Sequence, residues 1–232
     1  MQNDCFPEAV AEWPKRPISA IAAQSPRYAI EKGQEYPFVE MASVAEDFGG
    51  IIKFDSRKPE GSGLSRFKVH DTLFAKITPC PENGKVAFVD ELPAETGLGS
   101  TEFIVLSPLD GTCPRFLYHV VCSYPIRGRA VSRMEGSTWR QRIPDDVFDR
   151  RLLVPIPSPT DQEAIATVLD AVDKAITCTK AAHWRSLPRT QKVKCRTLEV
   201  TCLELRRSNV ALLGGRNSAG SRRAPGRFSY SP

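Results

Sequence analysis

The sequence predicts a mixed α/β (α+β) domain followed by one long helix, and three observations carry that expectation. Apolar runs of strand length recur between residues 36 and 108, separated by turn formers such as Asn83-Gly84. Within CPRFLYHVVCSYPI, Phe116, Leu117, Val120 and Val121 fall on one face of a helix of about three turns. Near residue 158 the period changes, and SPTDQEAIATVLDAVDKAITCTKAA places its apolar residues at spacings of three and four. A chain of 232 residues that is 41% apolar and 25% charged is long enough for one sizeable core plus an appendage.

In order along the chain, residues 1–35 hold turn formers (Pro14, Pro17, Pro26, Gly33) between short apolar pieces and read as strands or a short helix. YPFVEM (Tyr36–Met41) reads as a strand, SVAEDFGG as a short helix or turn closed by two glycines, and GIIKF as another strand before the polar loop DSRKPEGSG. Strands over Phe67–Thr78 and Lys85–Asp90 follow, joined by a loop whose Asn83-Gly84 pair favours a tight reversal. FIVLSP (Phe103–Pro108), the helix just described and the extended segment RLLVPIP (Arg151–Pro157) complete the domain, over residues 1–157.

The long helix is expected over residues 158–182. Ile165, Val168, Leu169, Val172 and Ile176 form a narrow stripe suited to packing along another helix, from the same chain or from a second copy. The alternative is an ordinary amphipathic helix folded back on its own domain. Early acids with Lys174 and Lys180 late suit the helix dipole, and Thr160 with Glu163 predicts a capping box with Pro159 just outside it. Pro188 breaks any continuation. Residues 183–232 form a basic tail, read as a solvated, disordered end or a frameshifted continuation.

Charge excludes one easy inference. The net charge is +5, yet residues 177–232 carry 12 Lys and Arg against 2 Asp and Glu, while residues 1–176 carry 20 against 25. The folded part is mildly acidic, so any surface for nucleic acid must be a local patch. Seven scattered cysteines show no zinc spacing and read as reduced thiols. No run reaches the roughly 18 apolar residues of a membrane span, and the start lacks a leader-like core, so a cytoplasmic location is expected.

Two loops carry the candidate chemistry. GSTWRQR (Gly136–Arg142) concentrates hydroxyls (Ser137, Thr138), an amide (Gln141) and two guanidiniums (Arg140, Arg142) around Trp139. Arginine suits guanine or phosphate, glutamine suits adenine, and hydroxyls suit phosphate; Arg127, Arg129 and Arg133 would extend the patch. The alternative is a surface loop pinned by a packed tryptophan. TLFAKITPCPENGKVAFV (Thr72–Val89) supplies the donors Lys76, Thr78, Asn83 and Lys85 on a loop stiffened by Pro79 and Pro81, or is simply a core hairpin with solvated polar residues.

Glu102, Asp145 and Asp146 invite an enzyme reading. Pro144-Asp145 could open a magnesium-nuclease motif, but RRLLVPIP supplies no following acid-x-lysine piece. A glycine-rich cofactor strand, a methyltransferase aromatic box and a phosphate-binding GxxxxGK[ST] loop are likewise missing, and Cys80, His70, His119 and His183 suggest a nucleophile pair only by residue type. No metal ligands or catalytic residues are assigned.

The pieces PFVEM (Pro37–Met41), FKVHDTLFAKITPCPENGKVAFV (Phe67–Val89), GSTEFIVLSP (Gly99–Pro108), GSTWRQRIP (Gly136–Pro144) and PIPSPTDQEAIATVLDAVDKAI (Pro155–Ile176) stand in the order and spacing of a known family. The chain resembles the specificity (S) subunit of type I restriction-modification systems, in the form of one target-recognition domain and one spacer helix. The resemblance covers about residues 36–177. It implies a strongly twisted, partly barrelled sheet whose rim loops meet double-stranded DNA, and a long coiled-coil helix that docks modification subunits. It also implies a non-catalytic chain with no cofactor of its own. A methyltransferase (M) partner would bring S-adenosylmethionine, and a restriction motor-nuclease (R) partner would use ATP and magnesium. A second copy could pair through the helix. The competing expectation is a truncated subunit that only grips the methyltransferase.

This sequence departs from the family pattern at three places. His70 stands where glycine is usual, Pro81 where an aliphatic residue is common, and one recognition domain with one helix stands where relatives carry two of each. Histidine tolerates a positive φ better than most residues, so the turn at His70 is expected to survive.

Overall fold

The structure, a computed structural model, describes residues 13–59, 63–137 and 140–186, with side chains to residue 180. The described strands are β1 (Lys15–Pro17), β2 (Ala22–Gln24), β3 (Tyr36–Val39), β4 (Asp55–Arg57), β5 (Ser65–Phe67), β6 (Thr72–Ala75), β7 (Val86–Phe88), β8 (Gly97–Gly99), β9 (Phe103–Pro108) and β10 (Leu153–Pro155). The described α-helices are α1 (Pro114–Cys122), α2 (Tyr124–Ser132) and α3 (Pro159–Ser186). Residues 1–12 of the first segment and residues 187–232 of the expected basic tail lie outside the described residues, and residues 183–186 continue α3.

An antiparallel sheet in the order β2-β9-β6-β7 forms the middle layer. Its register pairs Leu73 with both Ala87 and Val105, and Phe74 with both Val86 and Ile104. Alternate side chains therefore enter two different cores. Phe74, Val86, Ile104 and Leu106 pack with Leu117, Ile126, Ile143 and Leu152 on the helical side. Leu73, Ala75, Ala87, Val89, Phe103 and Val105 pack with Val39 and Phe67 on the other. Burial on both faces explains why these strands read as continuous apolar runs. The second sheet, β4-β3-β8-β5, covers the latter face and contains one parallel pair, β3 with β8. A ribbon of β1 with β10 ties the start of the domain to its end. These described strands form two open sheets and a ribbon rather than a closed barrel, because β7, β2, β4 and β5 end their sheets.

Several elements differ from expectation for identifiable reasons. GIIKF is not a strand: Gly50 closes a tight turn, and Val44 and Ile51 make a single antiparallel bridge. The strand lies instead at Asp55–Arg57, in the segment expected to be loop, as a polar edge strand paired only with β3. The run Phe67–Thr78 is broken at Lys68–Asp71. There the Lys68 amide donates to Asp71 Oδ2 at 2.8 Å and His70 sits at φ +76°, the conformation expected for it. Asp71 also accepts from Ser107 Oγ at 2.5 Å, and burial raises its pKa against the pull of that bond. Tyr28 joins this group, and burial pushes its phenol up to about 12.

A second helix follows α1 without a loop. The Ser123 hydroxyl and amide both turn back to the Val120 carbonyl, and Pro125 lies in the first turn of α2.

At α3 the capping box lies two residues earlier than expected. The Asp161 amide donates to Ser158 Oγ at 3.2 Å, the Ser158 hydroxyl donates to Asp161 Oδ2 at 2.8 Å, and Pro159 is the first helical residue, where its missing N–H costs nothing. The helix then runs along its own domain. Gln162, Ala166 and Leu169 are buried and Ile165 packs against the core. Gln162 accepts from the Cys113 amide at 3.0 Å and donates to the Pro157 carbonyl at 3.1 Å.

Two turns on, Asp170 accepts from Arg115 through both Nε and Nη2 (2.6–3.0 Å) and meets His119 Nε2 at 2.7 Å. Arg115 also lies over the rings of Phe88 and Tyr118. Burial opposes the charge on Asp170, but the bonds from Arg115 and His119 outweigh it and hold the carboxyl below its usual range. For His119, burial outweighs the Asp170 bond and lowers the imidazole pKa. Farther along, Lys180 Nζ stands 3.5 Å from Asp47.

Candidate nucleic-acid interface

The two loops singled out from sequence are neighbours in space, although about sixty residues separate them. The segment Lys76–Thr78 leaves the end of β6 and pairs with residues 141–143. The Thr78 amide donates to the Gln141 carbonyl at 3.0 Å, and the Ile143 amide donates to the Lys76 carbonyl at 2.8 Å. Arg142 and Glu135 exchange backbone bonds of 2.8 and 2.9 Å. Together the loops make one rim at the end of the middle sheet.

The first loop holds its own shape. The Lys85 amide donates to the Cys80 carbonyl, the Asn83 amide to the Pro79 carbonyl, and the Thr78 hydroxyl to Glu82 Oε1 at 2.7 Å. Gly84 lies at φ +71° with the Phe48 ring close to where a Cβ would stand, so both conformation and space select glycine. From below, Arg127 Nη1 donates to the carbonyls of Pro81 and Glu82 at 3.2 and 3.1 Å. Arg127 is therefore buried and structural, a correction to its place in the expected patch. Its arginine type pointed outward; only its burial in α2 reveals the inward role.

The other expected residues divide by what they touch. Asn83 is exposed and donates to Glu46 Oε1 at 3.1 Å. Lys85 is half-buried and donates to the Met41 carbonyl at 3.1 Å. Its positive charge lies near Cys80, whose thiol is nonetheless pushed up by burial. Lys76 pairs with Asp145 at 2.9 Å. Arg142 clamps Glu102 with three bonds of 2.8–3.0 Å, which raise the guanidinium pKa. Ser137 and Arg140 are exposed, and Gln141 is half-buried. Arg133 pairs with Asp146 at 3.2 Å. Thr138 and Trp139 lie outside the described residues.

The three carboxylates considered for catalysis thus hold cations. Among the described residues no group of three His, Cys, Asp or Glu side chains could hold a metal ion. No described helix is long and apolar enough to cross a membrane.

On α3, the expected stripe faces mainly its own domain: Leu169 is buried, Ile165, Val172 and Ile176 are half-buried, and Val168 is 45% exposed. Ala164, Val168, Ala171, Ala175 and Cys178 are all exposed, at alternating spacings of four and three. Sequence reasoning passed over this outer seam because four of its five residues are small.

No protein-family model matches the chain. Among curated proteins it is 31% identical over 155 residues to the type I restriction enzyme EcoAI specificity subunit of Escherichia coli, and 29% identical over the same length to the EcoEI specificity subunit of that organism. Each match takes in 65% of this chain and 26% of the relative, so the chain spans about a quarter of the length of the curated relatives it matches. Among solved structures, the HsdS subunit from Thermoanaerobacter tengcongensis aligns with a TM-score of 0.61 at 18% identity, over 78% of this chain and 46% of that one. A chain from a structure of type I R-M complex assembly and conformational transition aligns with a TM-score of 0.56 at 18% identity, over 83% and 46%. The resemblance to type I specificity subunits read from the sequence therefore holds in both sequence and fold.

Proposed function

We propose that this chain recognises a specific sequence in double-stranded DNA as the specificity subunit of a type I restriction-modification complex, directing a methyltransferase subunit and a motor-nuclease subunit to the target site. The reading rests above all on the backbone pairing of residues 76–78 with 141–143, which gathers the two donor-rich loops into one rim of a chain similar to specificity subunits. Arg140, Arg142, Gln141, Ser137 and Asn83 supply the charge and hydrogen-bond donors that phosphate and base edges accept. The chain supplies the address, and the chemistry belongs to its partners: S-adenosylmethionine with the methyltransferase, ATP and magnesium with the motor nuclease. The outer seam of α3 suits a second helix, from a partner subunit or another copy of this chain. Two copies would read a symmetric, interrupted site.

A second reading, a chain that grips the methyltransferase without productive recognition, is favoured by one observation. Lys76, Arg133 and Arg142 are already paired with the chain's own carboxylates. Selection from a random duplex pool by the full chain with a type I methyltransferase subunit separates the two. Enrichment of one sequence supports recognition, and binding of methyltransferase without enrichment supports the second reading. In the first case, replacing Arg140 and Arg142 by alanine weakens DNA binding and flattens its salt dependence by about two phosphate contacts or fewer.

A further inference from the structure

Rim ion pairs differ in which partner lies outside. In Lys76–Asp145 the lysine side chain is 18% exposed and the aspartate 76%. In Arg133–Asp146 the arginine is 30% exposed and the aspartate 52%, so in both pairs the acid covers the cation. Arg142–Glu102 is reversed: the arginine is 45% exposed and the glutamate 22%. Glu102 is also the better anchored. Its carbonyl accepts from the Lys76 amide at 2.9 Å and its amide donates to Ser100 Oγ at 3.2 Å, which fixes it on the turn before β9. The carboxylate occupies the Nε and Nη2 edge of the guanidinium. The edge formed by Nη1 and Nη2 is the one directed away from that bond.

We propose that Glu102 is a positioning residue for base choice: it holds Arg142 so that the free end of the guanidinium reads one guanine, and it reduces the pull of that cation toward backbone phosphate. This inference rests on the DNA-recognition reading above. An arginine side chain loses about 2 kcal/mol of rotamer freedom when fixed, and a carboxylate that fixes it beforehand removes that cost from docking. Guanine O6 and N7 accept from the end of a guanidinium held in this way. A phosphate is attracted by net charge, and the Arg142–Glu102 pair has none, so sequence-independent binding is weakened. The same carboxylate thus acts in opposite directions on the two modes of binding.

The test uses the full chain with a type I methyltransferase subunit, a duplex carrying the selected sequence and a scrambled duplex, each at two salt concentrations. E102Q is expected to bind the scrambled duplex more tightly and the selected one more weakly. Their affinity ratio falls about tenfold, with choice relaxed at one G·C pair and not across the site. R142K, which keeps the charge and loses the fork, is expected to relax the same pair, and E102Q added to R142K relaxes it no further. An unchanged ratio, or parallel tightening on both duplexes, would overturn the proposal and leave Glu102 a screening charge. Should E102Q fail to fold, R142K decides alone: retained choice at every position overturns it. Wild-type protein that enriches no sequence brings down the recognition reading, and this inference with it. Enrichment by wild type together with full ratios in both variants brings down this inference only.

Discussion

The same fork of arginine on carboxylate occurs twice among the described residues, and the two copies do opposite things. Arg115 on Asp170 joins α1 to α3, is flanked by Phe88 and Tyr118, and is completed by the buried His119. Arg142 on Glu102 lies on a loop rim with its cation toward solvent. The first is flanked by two rings and an imidazole, with Asp90 3.6 Å from its Nη1, and holds two helices together; the second has its Nη1 edge left for something else. Surroundings, not the pair itself, decide whether such a bond stabilises or presents. Exposed pairs contribute little to stability, whereas a partly buried pair with shared partners leaves charged groups stranded when one is removed.

That contrast can be broken by mutation. The largest loss of stability is expected from Asp170→Ala, which strands both Arg115 and His119. It should cost about 2 kcal/mol, roughly 4–8 °C in the thermal midpoint. A loss as small as that of a surface pair would erase the distinction.

Asp71 sharpens it by separating burial from pairing. Its carboxylate is buried among Ser107, Tyr28 and the Lys68 amide, with no cation on it. Asp71→Asn should cost about 1 kcal/mol in urea unfolding, because an amide cannot accept from all three.

His119 gives the clasp a pH signature. Its folded pKa lies below the ordinary value of 6.5, so between those two values the unfolded chain binds more protons than the folded one. Stability is therefore retained above pH 6.5 and lost as pH falls through the depressed folded value. Asp170 begins to contribute its own loss only below the ordinary 3.8. Thermal midpoints of wild type should fall relative to His119→Gln between pH 7 and 5. Parallel curves would show that the imidazole has no part in the clasp.

The smallest effect is expected at the rim, where Arg142→Ala should leave the midpoint unchanged in calorimetry. A measurable drop would mean that the rim pair also holds structure.

The middle sheet was legible because its strands are buried on both faces, so β6, β7 and β9 are apolar at nearly every position. What escaped reading has physical causes. β4 is polar because it is an edge strand with one neighbour. β8 reads Gly-Leu-Gly, weak strand formers, because the Phe67 ring lies where a Cβ of Gly97 would be. α2 has little apolar periodicity and buries an arginine. In the rim, residue types marked the loops, but their mutual pairing is non-local and left no periodicity to read. Nor could composition tell Arg142, which faces out, from Arg127, which faces in.

α3 is tied to its domain at Gln162, at Asp170 and, farther along, at Lys180 beside Asp47, which makes a lever of its last turns. Its 28 residues span about 42 Å at 1.5 Å each. The 16 residues beyond the clasp, 171–186, span about 24 Å, so a tilt of about five degrees there would swing the far end by roughly 2 Å. A few side-chain oxygens near the fulcrum thus set the direction in which the last turns of α3 leave the domain.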